Sequence, residues 1–322
     1  MKRILSGIQP SGTLHIGNFF AMMKPMIEKQ KENELFCFIV NYHALTSIQE
    51  REELKKNTLE AAIDFLALGL DPEKCFFWVQ ADVPEVTELT WILSCQTSLG
   101  LLERSHSYKD KIAKGLTPNS GLFTYPILMA ADILLYQAEI IPVGKDQKQH
   151  LEITRDIAER FNHTYGETFT IPESLIAQDI AVIPGTDGQK MSKSYGNTIN
   201  IFEEEKALKK KVMRIVTDST PVESPKDPEK CNLFALYKLI ASSEQLAKME
   251  KKYRQGGTGY GEVKKELLEI IWEYFAPFRK EREKFEKDKG EVYNILKKGA
   301  QKTREIATKT ITEVKEKIGL RY

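Results

Sequence analysis

Four short stretches alternate with segments of helical period through the first 150 residues, and this alternation constrains the fold more than any other feature. Residues 3 to 8, Leu35 to Val40, Cys75 to Val79 and Glu139 to Val143 read as strands. Leu35 to Val40 is an unbroken apolar run, the mark of a strand covered on both faces of a parallel sheet. Between them, residues 16 to 27, 51 to 70 and 85 to 102 carry helical spacing. Strand and helix in regular exchange predict an α/β fold with helices covering a parallel sheet.

Length and composition fit that reading. The chain of 322 residues is long enough for two ordinary domains, and 41% hydrophobic with 29% charged residues describes a globular protein. No apolar run approaches the roughly 18 residues of a membrane span. The N-terminus enters its first strand with no signal-peptide pattern, so a cytoplasmic protein without membrane partners is expected. Cys37, Cys75, Cys95 and Cys231 are dispersed and form no paired motif, so no disulfide framework and no structural metal are expected. Net charge is +1, but residues 1 to 200 hold 19 Lys and Arg against 25 Asp and Glu, and residues 201 to 322 hold 28 against 21. A basic C-terminal third suits a polyanionic partner, or an ordinary lysine-rich helical surface.

Polar residues cluster where strands end, the place where open α/β sheets hold ligands. Gln9, Pro10, Ser11 and Gly12 follow the first strand, and His15, Gly17 and Asn18 open the helix after it. A helix N-terminus there offers free N–H groups to phosphate, and His15 can donate to a phosphate oxygen. Gly17 lets a nucleoside approach the backbone closely. His43 lies in the polar stretch after the second strand, and Gly144, Lys145, Asp146 and Gln147 follow the fourth. Residues 105 to 117 are polar and basic, with Lys111 a candidate contact to phosphate.

The segment Tyr125 to Tyr136 is apolar nearly all round and reads as a buried helix. Tyr125, Met129 and Asp132 share one face at i, i+4 and i+7. A buried aspartate needs a donor, which is either a partner within the protein or a ligand. Further on, after Ile183, the loop Gly185 to Ser194 packs Lys190, Met191, Ser192, Lys193 and Ser194 together, a dense set of donors for an anion with several oxygens. Beyond Ile201 no strand-like run appears; helices are expected over 203 to 216, 231 to 252, 260 to 288 and 301 to 318. The fold expected is thus a Rossmann-type parallel-sheet nucleotide-binding domain, 1–200, followed by an all-helical domain, 201–322, whose last helix can fold back on the first.

Two of these stretches resemble the paired signatures of class I aminoacyl-tRNA synthetases, written HIGH and KMSKS. Here they read His15-Ile16-Gly17-Asn18 and Lys190-Met191-Ser192-Lys193-Ser194. With Gly7 to Gly12, the Tyr125 to Tyr136 segment and Val143 to Gln147, the whole chain resembles the bacterial-type tryptophanyl-tRNA synthetase family. The resemblance implies a homodimer, ATP with Mg²⁺, L-tryptophan and tRNA(Trp) as substrates, and a helical region that reads the anticodon. It also implies two steps, formation of tryptophanyl-adenylate and transfer of tryptophan to the tRNA 3′ adenosine.

By resemblance, Gln9, Pro10, Ser11, Gly17 and Asn18 cradle ATP, while Gly144, Lys145, Asp146 and Ile183 hold the nucleoside. Lys190 and Lys193, in their loop with Met191, Ser192 and Ser194, neutralise the departing pyrophosphate, and His15 and Lys111 assist. Asp132, Tyr125, Met129, Gln147, His43, Gln9 and Leu5 form the amino-acid pocket, Leu5 standing where the family often has an aromatic residue. An indole offers one N–H donor and no acceptor, which a buried carboxylate matches. A tyrosyl-tRNA synthetase, a nucleotidyltransferase that uses no tRNA, and a non-charging paralogue that only binds are the competing readings.

Overall fold

The computed structural model describes residues 1–10, 12–104, 119–144, 147–176 and 183–321. The expected contacts Ser11, Lys111, Lys145 and Asp146 lie outside the described residues. The chain divides into two compact units: Met1–Gly12 with Glu28–Gln178 and Phe285–Tyr322, and Thr13–Ile27 with Asp179–Lys284.

The first unit is built on five parallel strands among the described residues: β1 (Arg3–Ile8), β2 (Glu34–Ile39), β3 (Cys75–Val79), β4 (Ile140–Val143) and β5 (Glu173–Ile176). Their order is β3-β2-β1-β4-β5, so the order reverses at the centre between β1 and β4. The register runs from Arg3 opposite Glu34 to Ile8 opposite Ile39. β2 is buried from Leu35 to Ile39, as its continuous apolar sequence requires. β5 went unforeseen: Glu-Ser-Leu-Ile has too little apolar character to stand out, and it forms by pairing with β4.

Helices follow in chain order. α1 (Ile16–Asn18) runs through a π-helical turn, Phe19–Met23, into α2 (Lys24–Lys29). α3 (Asn41–Ala44) and α4 (Arg51–Ala67) precede β3, and α5 (Glu85–Gln96) and α6 (Leu99–Glu103) follow it. The single helix expected over 85 to 102 is thus two, broken at Thr97 and Ser98. α7 (Ser120–Leu135) carries the apolar segment, and α8 (Lys148–Tyr165) joins β4 to β5. Leu5, Phe36, Phe38, Trp78, Ile127, Tyr136, Ile157 and Phe161 are buried in one core shared by sheet and helices.

The C-terminal region is all helical among the described residues: α9 (Glu205–Met213), α10 (Asn232–Ile240), α11 (Ser243–Gln255), α12 (Tyr260–Tyr274), α13 (Ala276–Lys287) and α14 (Lys289–Lys317). The helix expected over 231 to 252 is interrupted because Ser242 and Gln245 form a capping box that starts α11 anew. α14 begins twelve residues before the expected 301, Asp288 accepting from Glu291 N–H at its start. It lies on the edge strand β3 and on α5, covering a sheet edge that would otherwise present unpaired groups. Arg304 to Glu85 at 2.6 Å and Lys315 to Glu88 at 2.8 Å tie α14 to α5.

In the second unit, the N-terminal segment is threaded into the loop region after residue 183. Ile16 N–H donates to the Ile199 carbonyl (2.9 Å) and Ile201 N–H to the Leu14 carbonyl (3.1 Å). Phe19 then packs edge-on against Phe275 with ring centroids 5.4 Å apart.

Candidate active site

Asp132 is set by α7 in the interior of the first unit, with 2% of its surface exposed. Its partners are protein donors. Gln80 Nε2 lies 2.8 Å from each carboxylate oxygen, and His43 Nε2 lies 2.8 Å from Oδ2. His43 donates through Nε2–H, since a carboxylate has nothing to give. Burial pushes the Asp132 carboxyl above the usual range, opposed by the bonds from His43 and Gln80.

The donors are themselves braced. Gln80 follows β3 and accepts the Tyr42 N–H through Oε1 at 3.0 Å; Asn41 Oδ1 accepts the Ala81 N–H at 3.1 Å. These bonds cross between the carboxyl ends of β2 and β3, so the sheet fixes the carboxylate. Sequence reasoning placed His43 here but missed Gln80. The rule that found His43, a polar side chain just past a strand's carboxyl end, applies to Gln80 equally.

Tyr125 and Met129 share the Asp132 side of α7, as the spacing predicted. Tyr125 Oη bonds His150 Nε2, and its ring meets His43 edge-on at 6.1 Å. Met129 is half-buried and packs on the core that contains Leu5, itself 2% exposed. Gln147 stands at the start of α8, its N–H donating to the Gly144 carbonyl at 3.0 Å. Gln9 and Gly144 are exposed past the ends of β1 and β4, with Pro10 buried beside Gln9.

The second unit holds both signature motifs. His15 caps α1: its Nδ1 accepts the Asn18 N–H (3.2 Å), while Asn18 Oδ1 accepts the His15 N–H (3.4 Å). Asn18, which replaces the second histidine of the HIGH pattern, therefore closes a capping box. Because Nδ1 is an acceptor, the neutral ring carries its proton on Nε2 and is a donor there. Burial, helped by the Lys193 charge, lowers the His15 pKa to about 4. Gly17 has a structural reason to be glycine: a Cβ would sit 2.9 Å from His15 Nδ1 and 3.3 Å from Met191 Cβ. The first motif thus packs directly on the second.

That second motif is a closed turn. Gly185 N–H donates to Gln189 O at 2.7 Å, and Met191 N–H to Ile183 O at 2.9 Å. Ile183 and Met191 are buried, whereas Lys190, Lys193 and Ser194 are exposed. Ser192 Oγ accepts the Ser194 N–H, starting a 3₁₀ turn over Lys193–Tyr195. Lys190, Lys193 and Ser194 face solvent, with Ser192 half-buried among them, on a pinned backbone, a donor array suited to phosphate oxygens.

A parallel sheet that reverses order at its centre, polar residues at its carboxyl edge and this pair of motifs define a class I nucleotide-activating fold. Residues 1–276 match the tRNA synthetases class I (W and Y), and the chain belongs to that family. It is 55% identical over 321 residues to the tryptophan–tRNA ligase of Fusobacterium nucleatum, covering 99% of this chain and 98% of that one. It is 53% identical to the tryptophan–tRNA ligase of Rhodopirellula baltica, over 99% of this chain and all of that one. The crystal structure of tryptophanyl-tRNA synthetase from Campylobacter jejuni complexed with ADP and tryptophan superimposes with a TM-score of 0.95 at 52% identity, covering 98% of this chain and 99% of that one.

Proposed function

We propose that this chain joins L-tryptophan to tRNA(Trp) in two steps. The tryptophan carboxylate attacks the α-phosphorus of ATP; the bond to the β-phosphate bridging oxygen breaks, giving tryptophanyl-adenylate and pyrophosphate. A ribose hydroxyl of the tRNA 3′ adenosine then attacks the acyl carbon, and AMP leaves. The first step is an in-line displacement, for which positioning and charge stabilisation suffice without a side-chain nucleophile.

The observation that carries the choice of amino acid is Asp132. A carboxylate offers about four acceptor positions, and two protein donors, a Gln80 N–H shared between both oxygens and the His43 Nε2–H on Oδ2, leave acceptor capacity for a ligand. An indole N–H supplies the single donor that completes the set, and a ligand with none leaves a buried lone pair unmatched. Full-length identity to tryptophan–tRNA ligases supports tryptophan over tyrosine.

In this reading Tyr125, Met129, His43, Leu5, Gln147 and Gln9 receive the amino acid. Gln9, Pro10, Ser11, Gly17, Asn18, Gly144, Lys145, Asp146, Ile183 and the Lys190–Ser194 loop serve the nucleotide. Lys190 and Lys193 meet the pyrophosphate as its charge grows, with His15 donating from Nε2–H and Lys111 assisting. Mg²⁺ enters with ATP as part of the substrate. The region 201–322 reads the anticodon, in keeping with its basic balance. Trp91, 73% exposed on α5, and Leu99, 67% exposed on α6, suit a homodimer contact. Among the described residues no helix is long and apolar enough to cross a membrane, in keeping with a cytoplasmic place of action.

Charging tests the proposal. The protein, given ATP, Mg²⁺ and bacterial tRNA, is expected to form acid-precipitable tRNA from labelled tryptophan and none from labelled tyrosine. Absence of tryptophan incorporation overturns it.

A further inference from the structure

Asn197 belongs to neither signature, yet it is the buried polar centre of the lysine loop, with 2% of its surface exposed. Its amide reaches three points of the turn. Nδ2 donates to Asp187 Oδ1 at 2.7 Å and to the Lys190 carbonyl at 3.0 Å, and Oδ1 accepts the Ser192 N–H at 2.8 Å. Its own carbonyl accepts the Thr186 N–H at 2.9 Å. Asp187 in turn accepts the Gln189 N–H at 3.0 Å, and the Asn197 bond holds its carboxyl below the usual range. Gly185 is glycine because of this side chain: a Cβ there would lie 2.3 Å from Asn197 Cγ.

The Asn197 amide therefore grips the backbone on both sides of Met191, at the carbonyl of Lys190 and the N–H of Ser192. The two lysines leave the turn from this clamped segment. We propose that Asn197 is a positioning residue that fixes where Lys190 and Lys193 present their charges to the departing pyrophosphate. The proposal rests on the synthetase reading and adds to it a residue that touches no substrate. A lysine on a loose turn samples many positions and stabilises developing charge less than a preorganised one.

ATP–pyrophosphate exchange with tryptophan tests this in the full chain, with thermal unfolding measured alongside. Asn197→Ala is expected to lower the exchange kcat by between about 10- and 100-fold, the cost of a misplaced catalytic group. The KM for tryptophan is expected to stay within about twofold, because Asn197 acts on the pyrophosphate-facing loop alone. In a Lys193→Ala background the same substitution is expected to cost little more, since residues acting as a unit are not additive. Asn197→Asp sets a carboxylate against Asp187, and adding Asp187→Asn, which restores an amide-to-carboxylate bond, is expected to recover part of the loss. Full additivity with Lys193→Ala, an equal rise in the KM for tryptophan, no recovery in the exchanged pair, or an activity loss that follows the unfolded fraction overturns the proposal. An inactive wild type sinks the synthetase reading and the proposal together; an active wild type with an unaffected Asn197→Ala sinks only the proposal.

Discussion

His15 caps the backbone while keeping a donor free for the chemistry proposed above. Its Nδ1 caps α1, which commits Nε2–H to donation, and burial keeps the ring neutral with a pKa of about 4 against an ordinary 6.5. Between those values the unfolded chain takes up a proton that the folded chain refuses. Stability from this group is thus fully present above pH 6.5 and is lost as pH falls toward 4. Urea unfolding between pH 7 and 4.5 is expected to show this slope, and His15→Asn, which keeps a capping oxygen, is expected to flatten it. An unchanged slope in the variant contradicts the assignment. At this scale the sequence was legible where a pattern names the residue, as for His15, Asp132 and the two lysines. Gln80 stood just past β3, where the strand-end rule applies, and was passed over; on Asn197 the sequence was silent, because its contact with Asp187, 10 positions away in the chain, follows no local spacing.

Elements were legible where burial is continuous. β2 carried its own signal, because two-sided burial demands an unbroken apolar run, while β1, β3 and β4, buried at fewer positions, showed as shorter apolar stretches. β5 carried none, since its partner strand decides it. Helix ends failed for two reasons. The break between α5 and α6 has no glycine or proline, so helical period runs through it. The helices expected over 260 to 288 and 301 to 318 also leave out residues 289 to 300, which lie within α14 together with Gly299. It is a close approach of helix to strand: a Cβ there would sit 1.8 Å from the Phe77 carbonyl oxygen. Gly299→Ala is therefore expected to push α14 off β3 and to destabilise the protein by about 1–3 kcal/mol, the usual cost of overpacking. Thermal unfolding measures it, and an unchanged melting temperature contradicts the close packing.

For the whole molecule, the residues named for the proposed reaction fall in both compact units. The carboxylate network sits in one and both signature motifs in the other, although His15 and Lys193 are 178 residues apart in the chain. Sequence order made this division hard to foresee, because residues 13 to 27 belong with the loop that follows residue 183 and not with the sheet they leave. The exposed pair Trp91 and Leu99 makes a prediction at this scale. For the homodimer proposed above, Trp91→Glu is expected to shift sedimentation velocity at micromolar concentration from dimer to monomer, and a variant that sediments as the wild type does contradicts this contact.

In the proposed reaction Asp132, held by Gln80 and His43, selects tryptophan for activation by ATP. ATP–pyrophosphate exchange tests it most directly, run with tryptophan, tyrosine and the benzothiophene isostere of tryptophan that lacks the indole N–H. The wild type is predicted to exchange with tryptophan and to discriminate against the isostere by roughly 10⁴-fold, a ratio that collapses in Asp132→Ala together with the rate on tryptophan. Equal use of tryptophan and the isostere by the wild type, or a preference for tyrosine, would rule out selection by Asp132.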